Sequence, residues 1–199
     1  MNIALFDFDG TITTEDTFMQ FIYDTTPKHR LIISHILLLP FILGYKLDLI
    51  SSGFMRSAVT RLAFWHRKIT PVKSAGKRHA NGFLHSVVRD SALKHIEQHQ
   101  ANGDKIVVVS ASLDLYLQHW CQHHNVELLC NSLEINKGRY TGRLSSQDCA
   151  GPQKAVLVKK HYQLENYQTV YAYGDTIEDK QLLSLADVKY YQGKQVTSL

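Results

Sequence analysis

Cysteine is scarce in this chain. The three present, Cys121, Cys130 and Cys149, are odd in number and form no CxxC pair, which argues against a disulfide framework and fits a reducing compartment. No internal repeat or low-complexity segment is evident, and the composition is neither that of a disordered nor of a collagenous chain. A continuous apolar stretch near the N-terminus is also missing. Asp7 and Asp9 interrupt the run that begins at Ile3, so a secretory leader is not expected and a cytoplasmic location is. The most apolar segment, residues 31–45, is bounded by Arg30 and Lys46 and broken by His35, Pro40 and Gly44. As a helix it would reach only about 22 Å, short of the roughly 30 Å of a bilayer core. A transmembrane span is therefore not expected; buried helices are, with docking at a membrane interface as the alternative.

Acidic residues are almost absent from one region. Residues 25–89 hold eleven Lys and Arg against the single acid Asp48, while the remainder holds eleven against seventeen. A lobe of one charge sign suggests an anionic counterpart, whether a substrate or a phospholipid. Nucleic acid is not the expected partner. The 199 residues suffice for one well-buried core plus a modest insertion.

Three short β-rich runs are present: residues 3–8, 105–110 and 170–175. Each ends on polar side chains, at Asp7 and Asp9, at Ser110 and at Asp175. Helical patterns over 90–100 and 113–123 lie between them, so strands alternate with helices and a parallel α/β sheet is the economical fold. In such sheets ligands bind beyond the carboxyl ends of the strands, where the three polar endings would meet. Residues 133–144, with Lys137-Gly138-Arg139 as the turn, read as a β-hairpin. Residues 15–89 lack the strand pattern and read as an inserted helical cap. The catalytic core is then 1–14 with 90–199.

The chemistry-bearing residues sit at those strand ends. In Asp7-Phe8-Asp9-Gly10-Thr11 two acids stand two residues apart, the spacing that projects side chains to one side of a strand. A buried strand gains nothing in packing from two acids, and unpaired they would cost several kcal/mol. Two close carboxylates suit a divalent metal or a shared proton. Asp7 is a competent nucleophile toward a phosphate ester, and Asp9 could pass a proton to the leaving group and later take one from water. Gly10 and Thr11 supply N–H groups and a hydroxyl for phosphoryl oxygens. Gly174-Asp175-Thr176-Ile177-Glu178-Asp179 offers hard oxygen ligands suited to Mg²⁺. Ser110 and Lys154 are the candidate donor and cation for the phosphoryl group.

Read in order, these segments resemble the haloacid dehalogenase superfamily, whose pattern is DxDGT, a strand-terminal Ser or Thr, a Lys and an acidic GDxxxD. Its phosphoserine-phosphatase-like branch, subclass IB, is the nearer likeness, through the helical insertion and the hairpin Gly138-Arg139-Tyr140-Thr141-Gly142. The resemblance implies a three-layer Rossmann-like core with a C1-type cap, and an Mg²⁺-dependent phosphomonoester hydrolase working through an aspartyl phosphate. Asp7 would be nucleophile and metal ligand, and Asp9 the acid/base and, through its carbonyl, a ligand. Asp175 would hold the metal with Asp179 in support, and Thr11, Ser110 and Lys154 would hold phosphate. A cap glutamate of phosphoserine phosphatases falls here at Asp16, their Phe-Glu pair reads Phe54-Met55, and Arg61 stands where their carboxylate-binding arginine would be. The expected substrate is a small phosphomonoester such as phosphoserine. Residues 31–45, Ser110-Ala111-Ser112 and the turn at Cys149 look closer to phosphatidylglycerophosphate phosphatases, which would make the substrate a lipid head group met through peripheral membrane contact. Phosphotransfer and a non-enzymatic anion-binding module are the remaining alternatives.

Overall fold

The structure is a computed structural model that describes residues 1–47 and 49–198; Asp48, the one acid of the basic segment, and Leu199 lie outside the described residues. Five parallel strands and one antiparallel edge strand form a sheet, in the order β3-β2-β1-β6-β7-β8. They are β1 (Ile3–Phe6), β2 (Lys105–Leu113), β3 (Glu127–Asn131), β6 (Val170–Gly174), β7 (Val188–Tyr191) and β8 (Lys194–Val196). Two further strands, β4 (Leu133–Asn136) and β5 (Arg139–Leu144), make the hairpin expected around Lys137 and Gly138. Tyr190 and Tyr191 lie on β7, next to the edge strand.

Strand periodicity divides the core into two layers. Ala4, Phe6, Ile106 and Val108 face one side, against Ala92 and Ile96 of α6 (Asp90–Ala101) and Leu115, Leu117 and Trp120 in and around α7 (Asp114–His123). Ile3, Leu5, Val107 and Val109 face the other, against Val158 of α8 (Pro152–His161) and Leu182 and Leu183 of α9 (Lys180–Leu183). A sheet buried on both faces needs strands apolar at every position, which is why β1 and β2 read as continuous runs. The three-layer α/β class expected from the sequence is the class observed.

Between β1 and α6 the chain forms α1 (Thr17–Thr25), α2 (Lys28–Lys46), α3 (Ser52–Phe64), α4 (Ile69–Asn81) and α5 (Phe83–Val87). One expectation for residues 31–45 is corrected. The segment lies in a single helix, α2, which runs through Pro40 with the loss of one hydrogen-bond donor. It is not buried, since Leu38 is its only buried residue. Apolar side chains occupy every side of α2, more than the neighbouring helices can cover. Among the described residues no helix is long and apolar enough to cross a membrane.

The insert is seated on the core where α4 crosses α7. Gly76 allows the contact, because a Cβ there would lie 2.1 Å from the Leu115 carbonyl oxygen. Gly76→Ala sets a helix-propensity gain of about 1 kcal/mol against a backbone clash costing about 1–3 kcal/mol. The clash is with main chain and cannot be relieved by a rotamer change. The variant is expected to melt lower than wild type in thermal denaturation, by about 2–4 °C per kcal/mol of net loss.

Candidate active site

β1 lies at the centre of the sheet with β2 on one side and β6 on the other. This is the point where the strand order reverses direction, and a crevice opens beyond the carboxyl ends of the strands. Asp7 follows β1 and Asp175 follows β6; the Asp7 N–H donates to the Tyr173 carbonyl (3.0 Å), which locks the two ends in register. Gly10 turns the chain back with φ +83°, and a Cβ there would lie 2.2 Å from Asp175 Oδ2. Only glycine fits both the left-handed backbone and the close approach.

Lys154, near the N-terminus of α8, is buried with its ammonium between two carboxylates. Nζ donates to Asp7 Oδ1 (2.5 Å) and to Asp179 Oδ1 (2.6 Å). Asp179 is fully buried, and its other oxygen accepts the N–H groups of Asp175 and Thr176, both at 3.1 Å, and the Thr176 hydroxyl. The single 3₁₀ turn Ile177–Asp179 turns Asp179 inward.

Asp9 points elsewhere. Oδ1 accepts the Thr17 N–H (2.7 Å) and hydroxyl (2.5 Å), and Oδ2 accepts the Ser112 hydroxyl (2.5 Å). Its carboxylate thus joins the insert, through the first residue of α1, to β2. The Thr11 hydroxyl donates to Asp175 Oδ1 (3.1 Å) and Asp7 Oδ2 (3.4 Å). Ser110 is buried, and its Oγ accepts the Ser112 N–H (3.0 Å).

Burial dominates the electrostatics. It pushes the Asp7 carboxyl up to about 7 against the opposing pull of Lys154, and it also raises Asp9 and Asp175. Burial alone would depress the Lys154 ammonium, but Asp7 and Asp179 outweigh it and hold the proton on more firmly than in water. With all four aspartates ionised, Lys154 is one positive charge among four negative ones. Asp7, Asp175 and Asp179 each bring an oxygen to within 4.8 Å of the others. Three hard oxygen donors in a half-buried, over-negative pocket fit a divalent cation of the Mg²⁺ type. Asp179 is already engaged by Lys154 and two N–H groups, which leaves Asp7 and Asp175 as the side chains with free capacity.

A cavity of about 730 Å³ rises from these residues into the insert. Asp7, Asp9, Ser110, Lys154 and Asp175 line its floor, and Asp16 its wall, although one Asp16 oxygen caps α1 by accepting the Met19 N–H (3.0 Å). Arg61 does not join them. Its guanidinium donates to the Thr141 carbonyl (2.7 Å) and lies over the Trp65 ring, and it is not among the cavity-lining residues. The arginine that lines the cavity is Arg56, one and a half turns earlier on α3, paired with Asp148 (2.8 Å) and 3.9 Å from Glu178. Sequence reasoning missed Arg56, along with Thr17 and the bond from Ser112. The position of Arg56 beside Met55, at the pair aligned with a binding motif, was the available signal. Thr17 offered none.

Comparison with known proteins agrees with this architecture. The family model for haloacid dehalogenase-like hydrolases matches residues 4–184. Protein CicA of Caulobacter vibrioides is 27% identical over 193 residues, which are 96% of this chain and 85% of that protein. A Bordetella pertussis Tohama I protein of unknown function has a similar structure (TM-score 0.80, 20% identity, 94% of this chain and 88% of that one). So does a substrate-bound phosphoserine phosphatase complex (TM-score 0.67, 17% identity, 95% and 84%).

The charge imbalance has a measurable consequence. Folded Asp7 holds its proton up to about pH 7, against 3.8 ordinarily, so without a divalent cation its contribution to stability is lost as pH rises between those values. Asp7→Asn is expected to flatten that part of the melting-temperature profile. At pH 8, saturating Mg²⁺ is expected to raise the melting temperature of wild type by binding the folded state, and to have little effect on Asp175→Asn.

Proposed function

Because the chain belongs to the haloacid dehalogenase-like hydrolase family, we propose that it hydrolyses phosphomonoesters through an aspartyl phosphate on Asp7, with residues 15–89 as the cap that encloses the substrate. The observation that carries this reading is the pairing of buried Asp7 with Lys154 on the floor of a cavity, with Asp9 beside it. Asp7 Oδ attacks phosphorus as the ester P–O bond breaks, and Asp9 delivers its proton to the departing alkoxide. Water then attacks the acyl phosphate, Asp9 takes the proton, and the P–O bond to Asp7 breaks to release phosphate. Burial raises Asp9 and so favours the protonated form the first step needs. Ser110 and Lys154 face the transferring oxygens; Thr11, through its bonds to Asp7 and Asp175, holds the two carboxylates and adds a hydroxyl nearby.

Asp7 and Asp175, with the Asp9 carbonyl, would hold Mg²⁺, which supplies charge neutralisation for the phosphoryl oxygens when bound. Asp179 acts one step back, by fixing Lys154 and the backbone of Asp175.

For the substrate, a small phosphomonoester satisfies the floor of the cavity. Its upper walls favour a second reading. Phe18, Ile22, Leu38, Ile42 and Val59 line them, Arg56 is held by two acids, and Arg61 is turned away, so the groups that would grip a free amino acid are not assembled. A phosphorylated lipid head group, with apolar substance attached, fits those walls better than phosphoserine. The hydrolase description of the family supports release of phosphate to water over transfer to another alcohol.

Asp7→Asn is expected to lower kcat for an aryl phosphate by roughly 10³-fold or more, and Asp9→Asn by roughly 10²–10⁴-fold. Chelation of divalent cations should likewise stop turnover. Undiminished phosphate release from Asp7→Asn would refute the nucleophile. In a phosphate-release screen, phosphatidylglycerophosphate in micelles is expected to be a better substrate than phosphoserine, and the reverse order would restore the small-metabolite reading.

A further inference from the structure

Among the described residues nothing covers the outer face of α2. Ile32, Ile36, Leu39 and Leu43 follow one another at the spacing of a single helical stripe and are between 61% and 68% exposed. Ile33 and Leu37 flank the stripe, and Leu47 and Leu49 extend the apolar surface past the end of the helix, all more than half exposed. The opposite face of the same helix is used: Leu31, Leu38 and Ile42 turn into the cavity. Folding therefore accounts for one side of α2 and leaves the other in water. Folded soluble chains rarely expose a contiguous apolar surface of this kind without a partner for it.

The surroundings identify that partner. Lys28 and His29 stand exposed at one end of the helix and Lys46 at the other. Arg30 donates to the Trp65 carbonyl (2.7 Å), bringing exposed Trp65, His66 and Lys68 to the same end of the patch. The segment that contains the patch holds eleven basic residues and one acid. A second copy would set these like charges against each other, which disfavours self-association. An apolar stripe with cations at its ends and an exposed indole near one of those ends has the composition of a helix lying in the plane of a membrane interface. We propose that α2, with Leu47, Leu49 and Trp65, is a docking surface for the anionic face of a phospholipid bilayer. The inference is independent of the reaction assigned to the site, since it concerns the side of α2 that faces away from the cavity.

The test is co-sedimentation of the full chain with vesicles of phosphatidylcholine alone and of phosphatidylcholine mixed with phosphatidylglycerol, alongside light scattering in free solution. The expected result is a monomer that pellets with the mixed vesicles, less with neutral ones, and less at high salt, with a blue shift in Trp65 emission. Trp120, the other tryptophan, is buried and should report little. The double variant Ile36→Glu, Leu39→Glu should keep wild-type turnover of a soluble aryl phosphate and lose vesicle binding at least tenfold. Lys28→Glu with Lys46→Glu should weaken binding to the mixed vesicles alone. The proposal is overturned if wild type stays in the supernatant with anionic vesicles, or if the double variant binds them as wild type does. It is equally overturned if the chain is a dimer that Ile36→Glu, Leu39→Glu dissociates and that ignores vesicles. Loss of aryl phosphate turnover in wild type would refute the assigned reaction while leaving the vesicle result intact.

Discussion

The ammonium of Lys154 between Asp7 and Asp179 is the interaction on which the rest of the site depends. Each partner comes from a different element: Asp7 from the end of β1, Lys154 from the first turns of α8, Asp179 from the turn after β6. Asp179 in turn accepts the backbone N–H groups of Asp175 and Thr176. One buried cation therefore fixes the relative position of three chain segments and of Asp175. Desolvating such a group costs several kcal/mol per ion, and its neutral replacement is often no less stable. Stability alone gives little reason for this arrangement. The proposed reaction would give one, because a lysine already stripped of water and held between carboxylates is a pre-oriented donor for a phosphoryl oxygen.

Topology explains why these segments can meet. The chain places β2 on one side of β1 and β6 on the other, so the loops after β1 and β6 part and leave a crevice between helical layers. Asn131, at the end of β3, braces this region. Its side-chain amide donates to the Ala111 carbonyl (2.7 Å) and to Asp148 (2.6 Å) and accepts the Cys149 N–H (2.8 Å), tying β2 to the loop that leads into α8. Asp148 then holds Arg56 of the insert. The network thus runs from the core into the insert.

What could be read from the sequence follows a physical boundary. The fold class was legible because β1, β2 and β6 are apolar on both faces, and a strand with no polar face has to lie inside a parallel sheet. That Asp7, Lys154, Asp175 and Asp179 come together was legible because strand ends and helix starts fix where a side chain points within a residue or two; Ser110, expected at the end of its strand, lies three residues inside β2. The partners of Asp9 were not. Thr17 reaches it from the first turn of α1 and Ser112 from a strand that runs three residues longer than expected, and both are contacts set by how the insert sits on the core. The exchange of Arg61 for Arg56 has the same origin. Five positions along α3 separate a residue that bonds the β5 backbone from one that faces the cavity, and only the rotation of the packed helix decides between them. Reading α2 as buried assumed that an apolar helix finds its cover within its own chain.

That assumption fails for a reason that bears on how the insert works. A helix with a polar and an apolar side is oriented by burial, since turning it would put charges into the core. α2 has apolar side chains all round, so burial supplies little preference for its rotation. Its orientation comes instead from a few specific contacts: Leu38 packed inward, Arg30 bonded to carbonyls at the end of α3, and Ile50 closing on Gly44. The same few contacts decide which side chains face the cavity and which face outward. Substitutions at Leu38 or Ile42 act on the cavity and those at Ile36 or Leu39 on the exterior, although all four are one residue class on one helix. The lining of the cavity and the character of the outer surface are thus separable by position while sharing one helix.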